Sequence, residues 1–193
     1  PGTDALGFDT GPGNVLLDGW IKANKNLEYD EGGQWARQGH IQNELLAHML
    51  THAFFQSPTP KSTGREDFNM SWLSRQLALS NKLYKPEDVQ ATLVELSARS
   101  IVDSLTLGKQ AAPEELFICG GGAHNTLLLE RIGQHLPGTM VYTTDALGLS
   151  PDWVEAVAFA WLAKRTLHKL TGNLPEVTGA RSKTILGGVY FVD

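Results

Sequence analysis

Apolar residues recur at helical spacing along most of this chain and gather into short unbroken runs at only a few places. Val15, Leu16, Leu17, Trp20 and Ile21 predict a helix over residues 14–25. Ile41, Leu45, Leu46, Met49 and Leu50 predict another over 41–55. Trp72, Leu73 and Leu77 mark a short helix after a polar loop at 57–65, and a glycine-containing loop covers 27–39. Pro86 opens a long helix over 87–107, with Leu93, Leu96 and Ile101 in its buried stripe. Proline at the first helical position and the carboxylates of Glu87 and Asp88 in the first turn favour that start. A further helix is expected over 124–135. Ser150 as N-cap, Pro151 and Asp152 start a last one that reaches about residue 170 and buries Val154, Val157, Trp161 and Leu162.

The unbroken runs predict strands at 5–8, 116–119 and 140–142, with a closing strand or pair at 184–186 and 189–191. Strand, turn and helix therefore open the chain, several helices follow, and strand, turn, helix, strand and helix close it. That order implies an α/β fold with its chemistry at strand ends. No internal repeat or low-complexity tract interrupts it.

Composition narrows the picture. The chain has 193 residues, 41% hydrophobic and 19% charged, enough apolar matter for one core or one lobe of a larger enzyme. The net charge of -5 argues against a dedicated nucleic-acid binder, which carries a basic stripe. Nucleotide binding stays open, because backbone N–H groups and Mg²⁺ neutralise phosphates locally. The single cysteine, Cys119, permits no intrachain disulfide and suits a reducing cytoplasm; it reads as a small buried hydrophobe at a strand end. No apolar run is long enough to cross a bilayer, and no signal segment stands at the start. Pro1 lies almost directly before a functional-looking motif, so sequence upstream is expected.

Two glycine turns carry the candidate chemistry. In Phe8-Asp9-Thr10-Gly11-Pro12-Gly13-Asn14 a carboxylate ends a strand, two glycines allow close backbone approach to an anion, and a helix N-terminus follows. Phosphoryl transfer uses this layout; an ordinary strand–helix turn with Asp9 as helix cap would look the same. In Cys119-Gly120-Gly121-Gly122-Ala123-His124-Asn125 three glycines leave no side chain over the turn, so a base or ribose could lie against it. A close-packing turn is the alternative. The run matches neither the dinucleotide fingerprint nor the P-loop.

Other features read as structural. His48 and His52 have zinc-like spacing, but Met49 stands where a zinc protease needs Glu, so a surface or packing pair is expected. Lys61 and Arg65 could meet an anion, although such loop cations are more often solvated. The five tryptophans form no stacking ladder and read as core or interface anchors.

Taken together, the two turns resemble the second phosphate motif and the adenosine motif of the acetate and sugar kinase, Hsp70 and actin superfamily. The match becomes closer with Pro60-Lys61-Ser62-Thr63-Gly64-Arg65-Glu66, Glu155-Ala156-Val157-Ala158-Phe159-Ala160 and Asn173-Leu174-Pro175-Glu176-Val177-Thr178-Gly179-Ala180. These resemble, in order and over the whole chain, the C-terminal half of the anhydro-N-acetylmuramic acid kinase family. The resemblance implies a ribonuclease H-like, actin-like ATPase lobe with extra helices, spanning residues 1–193. The family's first phosphate motif, Ser-Gly-Thr-Ser-x-Asp-Gly, belongs to an N-terminal lobe and is not in these residues.

By the same resemblance the enzyme uses ATP and Mg²⁺ to open 1,6-anhydro-N-acetylmuramic acid by hydrolysis and to phosphorylate O6 in cell-wall recycling. Asp9 would be the general base. Gly11 and Gly13 would approach the phosphates, with Asn14 also nucleotide-binding; Gly120, Gly121, Gly122 and Asn125 would flank the nucleoside; and Glu155 would lie near the sugar, unless it is only a favourable helix N-terminal charge. Expected partners are the anhydro amino sugar, the missing N-terminal lobe and a second copy in a homodimer, with no nucleic acid and no membrane. A nucleotide-binding lobe without catalysis of its own is the alternative. A sugar-binding protein that has lost ATP use is a weaker one, since both glycine turns are intact.

Overall fold

The fold, a computed structural model, describes residues 5–106 and 112–190. Its centre is the long helix. In order, the helices before it are α1 (Val15–Lys25), α2 (Asn43–Leu50), α3 (Ala53–Gln56) and α4 (Met70–Leu79), and the long helix α5 runs Pro86–Thr106. Every residue from Val89 to Ala98 is buried, so α5 is enclosed on all sides rather than presenting one stripe. Leu16, Leu17, Leu45, Met49, Trp72 and Leu73 close around it from α1, α2 and α4.

Most buried polar side chains of such a helix find partners, although the Gln90 amide has none among the described residues. Thr92 Oγ1 accepts from the Gln42 amide at 2.9 Å and donates to the Asp88 carbonyl at 2.7 Å. Ser97 Oγ donates to the Gly13 carbonyl at 2.7 Å, which pins the first glycine turn to α5. Glu95 meets His135 Nε2 at 2.6 Å on the next helix, α6 (Thr126–His135). Those bonds fix the register of α5 against its neighbours.

Two short strands flank α6: β1 (Glu115–Ile118) and β2 (Met140–Thr143). They pair in parallel, Glu115 opposite Met140 and Ile118 opposite Thr143. Parallel neighbours need a crossover, and α6 provides it, with Leu127, Leu128 and Ile132 facing the core. After β2 come a 3₁₀ turn at Pro151–Trp153, α7 (Val154–Leu167) and a single turn, α8 (Pro175–Thr178).

Asp30 is the buried anchor of the 27–39 loop. Its two carboxylate oxygens accept from the Trp35 and Ala36 amides at 2.8 and 2.9 Å. Truncation leaves two buried donors unpaired, so Asp30→Ala is expected to cost about 2–3 kcal/mol, read from chemical denaturation of the full-length protein.

Several expectations need correction. Residues 5–8 form no strand, because no neighbouring strand pairs with them among the described residues. The 41–55 helix is broken into α2 and α3, with His52 at the break accepting from the Phe54 amide at 3.3 Å. Residues 184–186 and 189–190 are not strands, and residues 107 and 191 lie outside the described residues. Ser150 precedes the last helix but makes no side-chain cap bond, and α7 ends at Leu167. That helix buries nothing: Val157 is 47% and Trp161 50% exposed, and Val154 and Leu162 are half-buried. The core ends with Leu136 and the edges of β1 and β2, so α7 has no core to face among the described residues. Cys119 is exposed, just past the end of β1 in a sheet of two strands. Trp35 and Trp72 are core residues, whereas Trp153 is 63% exposed.

Candidate functional site

The first glycine turn is shaped by α5. A Cβ on Gly11 would stand 2.6 Å from Ser100 Oγ and 3.2 Å from Phe55 Cε1, so only glycine lets this backbone lie on the helix. Gly13 has φ +53°, a conformation that favours glycine, and open space where a side chain would be. Asn14 follows at the start of α1 without capping it. Its Oδ1 is buried and unpaired among the described residues, and its Nδ2 lies 3.7–3.8 Å from where side chains on Gly121 and Gly122 would begin. Asn14 is thus where the two glycine turns meet.

The second turn is open rather than close-packed. Gly120 has φ +70° with nothing within 4 Å of its Cβ position, and Gly121 and Gly122 leave ordinary contact distances to Asn14. The Gly120 amide donates to the Pro151 carbonyl at 3.0 Å, and His124 Nε2 meets Asp152 Oδ1 at 2.7 Å. Both bonds tie this turn to the start of α7. The Asp152 hydrogen bond, then its charge, raises the His124 pKa. Asn125 is 8% exposed and caps α6, its Oδ1 accepting from the Leu128 amide at 3.1 Å.

Beside Asn14 and the second turn lies a cleft of about 870 Å³, which Gly11, Gly13, Gly120 and Gly122 do not line. Asn14, Gly121 and Asn125 line it, as do Asp18 of α1 and His124. Its far wall is the 27–39 loop, read from the sequence only as a loop: Tyr29, Asp30, Glu31, Gln34 and Arg37 all face the cleft. Arg37 is held by Glu130 of α6 through two hydrogen bonds, at 2.8 and 2.6 Å. The nearest sequence signal is the Asp30…Gly32-Gly33 pattern, in which Gly33 leaves room for Asn125 Oδ1. Burial pushes the Asp18 carboxyl up.

Asp9 stands apart from that cleft, in a shallower concavity with Lys61, Ser62 and residues 177–179 of the C-terminal segment. It caps no helix. Its Oδ2 accepts from Ser62 Oγ at 2.7 Å and from the Thr63 amide at 2.9 Å. The Thr63 amide, then the Ser62 hydroxyl, holds its carboxyl below the ordinary carboxylate value. Lys61 is not solvated either: Nζ donates to the Phe54 and Phe55 carbonyls at 3.0 and 3.4 Å, and burial lowers its pKa. Glu155 is exposed in the first turn of α7 and lines neither concavity. His48 is exposed and His52 packs among Phe55, Phe68 and Trp72. Among the described residues no group of three or more His, Cys, Asp or Glu could hold a metal ion, and no helix is long and apolar enough to cross a membrane.

Comparison with known proteins agrees over nearly the whole chain. The family model described as anhydro-N-acetylmuramic acid kinase matches residues 1–192. The protein of that name from Saccharophagus degradans is 54% identical over 185 residues, covering 95% of this chain and 49% of that protein. The one from Coxiella burnetii is 49% identical over 191 residues, 99% of this chain and 50% of its own length. The one from Pasteurella multocida is 50% identical over 190 residues, with 98% and 50% covered. The chain spans about half the length of these curated relatives.

Proposed function

The chain belongs to the anhydro-N-acetylmuramic acid kinase family, and on that basis we propose that it is the C-terminal, nucleotide-binding lobe of an ATP-dependent kinase of 1,6-anhydro-N-acetylmuramic acid. The observation that carries this is the meeting of the two glycine turns at Asn14 beside an open cleft. The turns offer backbone N–H groups for phosphates, while Asp18 and Glu31 on the wall offer acceptors for ribose hydroxyls. Gly11 and Gly13 take the phosphate end, Gly120, Gly121, Gly122 and Asn125 the nucleoside end. The lobe is of the ribonuclease H-like, actin-like type with extra helices.

Asp9 serves as the general base. A water gives its proton to the carboxylate and its oxygen bonds to the anomeric carbon. The bond from that carbon to O6 breaks, O6 takes the γ-phosphoryl group, and ADP leaves. Glu155 contacts the sugar from the start of α7. Mg²⁺ keeps several waters and is held largely through substrate phosphates; with no group of three or more His, Cys, Asp or Glu able to hold it among the described residues, it would enter with ATP. When bound, the ion screens the charge of the transferring phosphoryl group.

Trp153 before α7, Phe159, Trp161 and Leu167 on it and Tyr190 beyond it are exposed apolar residues, of the kind that mark an interface. We assign it to the N-terminal lobe and to a homodimer partner. The lobe alone then binds nucleotide without turnover, and a reaction that consumes ATP places the enzyme in the cytoplasm.

The test is product analysis. Full-length protein with ATP and the anhydro sugar is expected to give N-acetylmuramic acid 6-phosphate and ADP in equal amounts by mass spectrometry. ADP without sugar phosphate would overturn the substrate.

A further inference from the structure

We infer that residues 61–63 form a positioning clamp for Asp9, holding Oδ2 so that Oδ1 is the oxygen that takes the proton. The inference rests on Asp9 being the base.

Asp9 needs such a device. It is exposed, on a segment with no ladder and no helix of its own. Three consecutive residues supply the missing constraint. The Asp9 amide donates to the Lys61 carbonyl at 2.9 Å, Ser62 Oγ donates to Oδ2 at 2.7 Å, and the Thr63 amide donates to Oδ2 at 2.9 Å. Main chain and side chain of Asp9 are therefore held by one short loop, while Oδ1 has no hydrogen-bond partner among the described residues.

The clamp is itself tied down on both sides. Lys61 Nζ bonds the Phe54 and Phe55 carbonyls and stands 4.6 Å from the centre of the Phe54 ring, which is part of the core. A cation at carbonyl oxygens and over a ring face is doubly favoured. Thr63 Oγ1 donates to Asp67 Oδ2 at 2.8 Å. A continuous run of bonds thus connects the core at Phe54 to the carboxylate of Asp9. The cation of this loop works as a tether, and its hydroxyl and amide do the positioning.

Both donors to Oδ2 favour the ionised carboxylate. With its folded-state pKa lowered, Asp9 is a ready base at neutral pH and loses that state only as pH falls below the ordinary carboxylate range. Removing the Ser62 hydroxyl withdraws one of the two donors, so the acid limb must move to higher pH.

The experiment compares Ser62→Ala, Ser62→Thr and Asp9→Asn in the full-length enzyme. Ser62 is exposed, so neither change removes core packing. Ser62→Ala is expected to lower kcat about tenfold with KM for ATP unchanged, the cost of a loosened reacting group. It should also raise the acid limb of kcat/KM, and Ser62→Thr should restore both. If Ser62→Ala keeps wild-type kcat and an unmoved acid limb while Asp9→Asn is inactive, the clamp is overturned and the base stands. A loss in Ser62→Ala that the hydroxyl of Ser62→Thr does not rescue overturns the clamp equally. Full activity in Asp9→Asn overturns the base and the clamp with it.

Discussion

Asp9→Asn in the full-length protein is expected to lower turnover by about 10²- to 10⁴-fold, the usual contribution of a positioned general base. Asparagine has the same shape, and its side-chain oxygen can still accept from Ser62 Oγ and the Thr63 amide, the two bonds that hold Asp9. The local structure therefore survives while the basic oxygen is lost. Asp9 also lies outside the cleft beside Asn14 and the second glycine turn, so ATP affinity by titration calorimetry should change little. Undiminished turnover would remove Asp9 from the chemistry. Turnover and ATP affinity lost together would make it a binding residue instead.

Gly39→Ala is expected to be the most damaging small substitution for stability. Gly39 closes a 3₁₀ turn, Ala36–Gln38, directly against the first turn of α5. A Cβ there would collide with the Glu87 carbonyl and stand 2.7 Å from the Asp88 amide nitrogen. These are backbone atoms, and they cannot swing aside as a side chain would. The start of α5 is also held from two other directions: Trp20 Nε1 donates to the Pro86 carbonyl at 2.8 Å, and the His40 amide to Asp88 Oδ1 at 2.8 Å. Relief would require moving the helix around which the core is packed.

Overpacking of this kind costs about 1–3 kcal/mol, with rigid neighbours at the upper end. Gly133→Ala is the matching control. That glycine lies inside α6, and the nearest atom to its Cβ position is Val141 Cγ2 at 4.0 Å. The same methyl group should there stabilise by about 0.5–1 kcal/mol, through lower backbone entropy in the unfolded chain. Denaturant midpoints of opposite sign are expected. Equal shifts in both variants would refute the packing account of Gly39.

The helices are legible in the sequence because their signal is local. Leu16, Leu17 and Ile21, or Leu93 and Leu96, need only the 3.6-residue period to declare a buried face, and Pro86 with Glu87 and Asp88 declares an end. The break between α2 and α3 is not legible, because the apolar spacing runs across it and only the His52 side chain marks the new start. The family motifs are likewise readable as strings of residues, and the family follows from them.

Contacts between distant segments cannot be read in this way. A strand exists through its partner, so residues 5–8 look like one and are not, while β1 and β2 find each other across α6. The apolar positions of α7 announce a buried helix, yet burial depends on what lies opposite, and among the described residues nothing in the core does. The cleft wall at Tyr29 and Arg37 and the Ser62–Asp9 bond, which joins residues 53 positions apart, exist only after folding. Local periodicity thus determined most of the helices of this protein, and its glycine runs determined the turns. The tertiary structure alone decided that those turns meet at Asn14 and that Asp9 is held by a distant loop, because hydrogen bonds and packing depend on distance in space and not on separation along the chain.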